Sequence, residues 1–305
     1  MKLEILFRRR WWLLYVPILL ASAFLLWISF TKWLPLPPKR IVMAAGVPGG
    51  GYTLLARQYQ QKLAQLGIEC FIVTTDKAHG GFSLIRRDET VDFALVNGMF
   101  AKGADASAFE ALAVIQHDPI WIFTRLPTLV NLQQLRGLRI GIPEFDELNL
   151  TILQHVLDQG RLTVRDIEAV SLSRNNLANA LIDGKVDAVV FMGSMRSDVV
   201  TTLARSSGLL LMGMDRIGTL ISNEPGLRPM VLPQGAIEFR GDVPSRDLTM
   251  ATANVHLLIR PEMHPALQRA IMDASVQIHE IPHFLHRQGE FPFLPAGSGS
   301  IRSSR

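Results

Sequence analysis

The chain holds one cysteine, Cys70, in 305 residues. An intramolecular disulfide is therefore impossible, and no cysteine zinc cluster can form. Set in an apolar run, the thiol reads as a buried small hydrophobe. Nucleotide signatures are missing too: no Gly-x-Gly-x-x-Gly opens a dinucleotide fold, and no Gly-Lys-Ser/Thr closes a phosphate loop. No serine stands in a Gly-x-Ser-x-Gly elbow, and no nucleophile has an evident base, so the sequence does not read as an enzyme. Excess charge is confined to one end. Of 31 basic and 27 acidic residues, residues 1–40 hold seven and one, leaving 24 against 26 for the rest. A body so nearly balanced lacks the electrostatic footprint of a nucleic-acid binder.

What is present begins with an apolar run. Lys2 and Arg8-Arg9-Arg10 precede an uncharged stretch from Trp11 to Thr31, long enough at about 1.5 Å per residue to cross a hydrocarbon core of about 30 Å. Trp11, Trp12 and Tyr15 at one end, and Trp27 and Trp33 at the other, suit the two water interfaces. Cleavage after Ala21-Ser22-Ala23, as in a signal peptide, would leave the apolar Phe24–Phe30 as a mature terminus, which favours an uncleaved anchor. Four basic residues before the run face three after it (Lys32, Lys39, Arg40), which puts the N-terminus inside. The expectation is a cytoplasmic N-terminus over 1–10, a transmembrane helix over 11–33 in the lipid bilayer, and a stiff proline-rich spacer over 34–40. The body would then lie in the periplasm, tethered by a single pass to a bacterial inner membrane.

Two segments of that body end alike: Ser83–Gly98 and Asn179–Ser194 each carry Leu-Ile, a polar turn, Val-Asp, and an apolar strand that stops at a small polar residue. One such unit in each half implies two similar lobes. Around them, strands and helices alternate. Strands are expected at 40–45, 69–74, 91–96, 113–116, 120–124, 139–142 after a polar turn from 135, 167–171, 186–192, 209–212 and 247–259, with helices at 52–66, 82–87, 148–158, 176–182, 198–205 and 265–278. This spacing predicts an α/β fold of parallel sheets covered by helices. Residues 41–125 and 247–292 form the expected first lobe, 126–246 the second, and 293–305 a disordered tail.

Gly46-Val-Pro-Gly-Gly-Gly-Tyr-Thr53 follows a strand and opens a helix, so its N–H groups and the helix dipole favour a carboxylate or other anion. Gly50 and Gly51 let a ligand approach the backbone, and Tyr52 and Thr53 offer hydroxyls. His79-Gly80-Gly81-Phe82 is a second such helix start, and Asn97 ends the strand after it. From the second half, Ser171, Ser173 and Arg174 could reach a carboxylate across a cleft. His279-Glu-Ile-Pro-His283 has the spacing of a zincin motif, but Pro282 disrupts the helix that would face both histidines to zinc, so a solvated histidine cluster is the reading and no metal is expected.

In order along the chain, the Gly46–Thr53 loop, Gly80-Gly81, Leu84-Ile85 through Ala94-Leu95-Val96-Asn97, Pro119–Phe123, Leu135–Ile142, Asp242-Val-Pro244 and Leu257–Arg260 resemble the TAXI family of solute-binding proteins. The resemblance covers most of 41–292. It implies a type II periplasmic-binding-protein fold whose two lobes close, without a cofactor, on a small carboxylate or amino acid for delivery to TRAP-type permease subunits. It also implies ligand contacts from Gly50, Gly51, Tyr52, Thr53, Gly80, Gly81 and Asn97, joined by Phe145 and Met192 from the second lobe. Hinges are expected near Arg125–Leu129 and Asp247–Ala251. Where members carry Gly-Ser-Gly-Thr after the strand corresponding to Arg139–Ile142, this chain has Pro143–Asn149, with acidic Glu144, Asp146 and Glu147. That departure suits the rival expectation, a membrane-tethered sensory or scaffold protein that has kept the fold and lost transport.

Overall fold

The computed structural model describes residues 12, 15–25, 27–28, 37–48, 50–75, 80–99, 108–144, 147–195, 197–214, 216–224, 226–279 and 290–294. The chain divides into two units, Met1–Pro38 and Lys39–Arg305. In the first, every described residue from 12 to 28 is helical, and Trp12, Leu19 and Trp27 are more than 60% exposed. Among the described residues no helix is long and apolar enough to cross a membrane. The expected span over 11–33 falls partly outside them.

The second unit carries ten strands in the described residues: β1 (Arg40–Ala44), β2 (Glu69–Val73), β3 (Phe93–Asn97), β4 (Glu110–Thr124), β5 (Arg139–Pro143), β6 (Glu168–Leu172), β7 (Ala188–Met192), β8 (Leu210–Leu211), β9 (Leu227–Leu232) and β10 (Leu248–Ile259). Between them lie α1 (Gly51–Gln65), α2 (Gly80–Arg87), α3 (Glu147–Gln159), α4 (Leu177–Ile182), α5 (Asp198–Arg205), α6 (Ile217–Asn223) and, last, α7 (Pro265–His279). The strands run in the order β2-β1-β3-β10-β4-β7-β5-β6, with β8 against β4 and β9 against β10. Parallel pairs flank each end, β1 with β2 and β3, and β5 with β6 and β7. Two long antiparallel strands, β4 and β10, join them. The result is a two-lobed α/β fold.

The strands expected separately at 113–116 and 120–124 are one strand, β4. Pro119 has no N–H to donate, and it sits where β4 changes partner: up to Pro119 the strand pairs with β10, and from Ile120 with β7. On β10, Leu248–Ala253 pair with β9 and Val255–Ile259 with β3. The chain thus passes from one sheet to the other on β4 at Pro119–Ile120, while β10 exchanges β9 for β3 between Ala253 and Val255. Both strands run unbroken through the junction, so no turn residue marks it. β9 and α6 carry no clear period and were not expected.

Each lobe has its own core. In the first, Ile41, Met43, Phe93 and Leu95 pack on Tyr59 and Leu63 of α1 and Ile271 of α7. In the second, Ile140, Ile142 and Val190 pack on Leu153 and Val156 of α3, while Trp121, Phe123 and Phe191 stack on the other face. The end of the body also differs from expectation. Phe293 belongs to no disordered tail, because its backbone exchanges two hydrogen bonds with Val114 and the neighbouring Phe291 is buried against the His117 ring. Residues 295–305 lie outside the described residues.

The repeated Val-Asp has one structural meaning in both lobes. Asp92, just before β3, accepts from the Val42 N–H of β1 at 2.6 Å, and its own N–H donates to the Val42 carbonyl. Asp187, just before β7, accepts from the Arg139 N–H of β5 at 3.0 Å and donates to the Arg139 carbonyl. Even the arginines correspond: the Arg260 N–H donates to the Asp92 carbonyl and the Arg125 N–H to that of Asp187. Asp187 further accepts from Arg139 Nε and Nη2 at 3.0 and 2.8 Å.

These bonds from the Arg139 side chain, first among the causes, hold the Asp187 carboxyl below the usual carboxylate range. A depressed native value means that the contribution is present above about pH 4 and is lost as pH falls through the native value. We expect Asp187→Asn to lower stability at neutral pH by about 1–3 kcal/mol in urea denaturation. The same variant should lack the part of the acid destabilisation below about pH 4 that the native protein shows.

Candidate functional site

The Gly46–Thr53 loop is built from backbone. The Gly50 N–H closes a turn on the Val47 carbonyl, and Gly50, extended and without a side chain, stands at the N-cap of α1. The first N–H groups of a helix have no partner within it; the Thr53 N–H turns back to the Gly50 carbonyl at 3.0 Å, which leaves those of Gly51 and Tyr52 to face a ligand. Thr53 plays another part. Its hydroxyl donates to the Val47 carbonyl at 2.7 Å, with the Gly46 carbonyl at 3.3 Å, and the residue is buried. It tethers the loop and does not offer its proton to a ligand.

Beside this loop lies a cavity of about 60 Å³, walled by both lobes. From the first lobe come Gly46, Val47, Gly50, Gly51, Tyr52, Asn97 and Asp118; from the second, Leu148, Arg174, Met192, Gly193, Ser194 and Ser197. Five of the expected contacts are therefore together here: Gly50, Gly51, Tyr52, Asn97 and Met192. The lobes already touch. Asn97 Nδ2 donates to Met192 Sδ at 3.2 Å, and a Cβ on Gly51 would stand 3.1 Å from that of Ser194. Glycine at 51 is what permits this approach.

Other expected contacts lie elsewhere. Gly80 and Gly81 begin α2, and Gly81 does not line the cavity. A Cβ on Gly81 would come within 3.0 Å of the Leu95 carbonyl oxygen, so that glycine serves the packing of α2 on β3. Phe145 lies outside the described residues. Ser171 and Ser173 are exposed and off the cavity, while Arg174, one residue on, lines it. His279 is no solvated histidine: it is buried between α7 and α1, with Nε2 3.2 Å from the Tyr59 hydroxyl. The rest of that motif is outside the described residues.

The residue that sequence reasoning missed is Asp118. It is 2% exposed, deep in the cavity, and both of its oxygens accept hydrogen bonds. The Tyr52 hydroxyl donates to Oδ2 at 2.6 Å and Gln116 Nε2 to Oδ1 at 2.9 Å. Burial, the largest cause, raises its pKa to about 6, opposed by these donors, by the Asn97 amide and by the Arg174 guanidinium. Burial, reinforced by Asp118, likewise raises the Tyr52 phenol well above its ordinary value, which keeps it a donor. A signal was available in the sequence: a lone acidic residue beside Pro119, inside a run otherwise apolar from Ala111 to Phe123 but for Gln116 and His117, lacks an obvious solvent-facing place.

With this geometry in view, the fold defines a class: a two-lobed α/β fold with its cavity between the lobes where the strands end. Residues 88–217 match the family model described as NMT1/THI5 like. Among solved structures, one of a protein from Bordetella bronchiseptica RB50 is similar at a TM-score of 0.53 and 14% identity, over 80% of this chain and 71% of that one. The periplasmic aliphatic sulphonate binding protein SsuA from Escherichia coli follows at 0.49 and 14%, over 78% and 69%. No curated protein matches the sequence. At 14% identity the likeness to the Bordetella bronchiseptica protein is one of fold.

Asp118 carries a sign for pH. A buried carboxyl whose native pKa is raised from about 3.9 to about 6 contributes most below about pH 4, and stability declines as pH rises through 6. Asp118→Asn should remove this decline. The expected readout is a difference in melting temperature between variant and native protein that grows from pH 4 to pH 7 in favour of the variant and then levels.

Proposed function

We propose that this protein is an extracytoplasmic solute-binding subunit that captures a small organic anion or amino acid between its lobes and delivers it to a membrane permease. One observation carries the reading: a cavity walled by both lobes joins the open N-terminus of α1, the Tyr52–Asp118 pair and Arg174. Groups of that kind recognise a small charged molecule by hydrogen bonds and complementary charge, and no covalent chemistry is asked of them. At about 60 Å³ the enclosed space is far below the several hundred Å³ of a drug-sized pocket, so the solute is small or the lobes part to admit it. Their relative movement would be centred on the crossing of β4 and the exchange of partners on β10, with ligand stabilising the closed arrangement through its higher affinity for it.

The finer reading rests on the order of motifs along the chain. That order supports a TAXI-type subunit serving a TRAP permease. The uncharged run from Trp11 to Thr31, with its aromatic flanks and basic N-terminal cluster, supports a single-pass anchor over 11–33 in the inner membrane that leaves the body in the periplasm. On this reading the full chain sediments with membranes after an alkaline carbonate wash, while a chain starting at Lys39 is recovered in the soluble fraction.

The solute-binding reading is tested by thermal unfolding of the Lys39–Arg305 unit against amino acids, dicarboxylates and oxo acids. A saturable rise in melting temperature is expected for a member of the panel, since a ligand at a hundred times its Kd stabilises by about 2.7 kcal/mol. Tyr52→Phe should need at least about tenfold more ligand for the same rise, because Asp118 loses its shortest hydrogen bond. A well-folded protein that responds to nothing in the panel would instead support the tethered sensory or scaffold reading.

A further inference from the structure

The charges facing the cavity narrow the chemistry of its occupant. Asp118 receives donors on both oxygens, Tyr52 on one and Gln116 on the other, an arrangement suited to an ionised carboxylate and not to a protonated acid seeking an acceptor. At neutral pH it is ionised and almost wholly buried. Tyr52 and Gln116 are neutral, so neither compensates its charge. A buried charge without close compensation is costly. The guanidinium of Arg174 belongs to the opposite lobe and lies within electrostatic reach of both Asp118 and Tyr52.

A simple anion entering this space would set a second negative charge near Asp118, and like charges held close in a poorly hydrated site oppose each other strongly. A simple cation would meet the same difficulty at Arg174. We propose that the cavity takes a short zwitterion of the α-amino acid type, its cationic group held by Asp118 and its anionic group by Arg174 with the Gly51 and Tyr52 N–H groups of α1. The two charges of the ligand bridge the two lobes, so binding and closure are one event. Asp118 is then the residue that tells an amine-bearing acid from its deaminated counterpart. This inference rests on the solute-binding reading and goes further by excluding simple carboxylates and sulfonates as preferred ligands.

The test uses the full chain, purified in mild detergent, and isothermal titration calorimetry with three matched sets: the common α-amino acids, the 2-oxo acids of the same skeletons, and the amines left when the carboxylate is removed. The result expected is that at least one amino acid binds, with its oxo acid and its amine at least about thirtyfold weaker, the scale of leaving one buried charge unpaired. Asp118→Asn should weaken that amino acid by a similar factor and erode its advantage over the oxo acid, while circular dichroism shows the fold retained. Should the variant not fold, the preference of the native protein among the three sets decides by itself. An oxo acid, or a dicarboxylate titrated alongside, binding as tightly as any amino acid overturns the zwitterion and leaves the solute-binding reading standing. Absence of binding by every compound overturns both.

Discussion

In both lobes a carboxylate at the start of a strand accepts the N–H of a residue in the neighbouring strand. Asp92 does this for Val42, and Asp187 for Arg139. The bond sets the register of β3 on β1 and of β7 on β5, and hence where those strands end. A parallel pair has no hairpin to fix its alignment, so a side chain that captures a particular N–H supplies what a turn supplies elsewhere. Because Asn97 and Met192 terminate β3 and β7, their meeting across the lobes follows from these two clamps. The environments differ: burial pushes the Asp92 carboxyl up, whereas the Arg139 side chain draws that of Asp187 down. The second clamp is thus a charged one, and the first leans on a single backbone donor.

The cavity inherits its character from this alignment and from the crossing strand. β4 carries Gln116 and Asp118 up to the point where it leaves one sheet for the other, and the ring of Tyr52 reaches down from α1 to meet them. Arg174 comes from the turn after β6, and its Nη1 lies 3.4 Å from the Met192 carbonyl. Opposite charges therefore belong to opposite lobes, and each is held partly by neutral groups of its own lobe. Such a site is polarised before any ligand enters, which favours recognition by charge pattern over recognition by apolar shape.

Much of this was legible from local pattern. The alternation of strands and helices, the repeated Val-Asp unit and the glycine loop before α1 each depend on residues close in sequence, where period and turn chemistry speak directly. Gly50, Gly51 and Tyr52 were readable as a helix start, and Asn97 and Met192 as strand ends. Gly81 and Thr53 looked like the same kind of residue but serve packing and loop closure, because a glycine needed for close approach and a hydroxyl that ties down a loop leave the same trace in a sequence as ligand contacts do. β9 and α6 have too little periodicity to stand out.

The sequence by itself determined the α/β class, the doubled unit and the backbone cradle at the head of α1, since these follow from spacing within short windows. Only the tertiary structure decided that Asp118 is buried, that it faces Arg174, and that β4 crosses from one sheet to the other at Pro119. Asp118 and Arg174 are 56 positions apart and lie in different lobes, and no local rule of period, capping or propensity couples residues so distant. Their encounter is a consequence of β4 running from one sheet into the other, and the sign of the charge on each wall of the cavity is set by that arrangement.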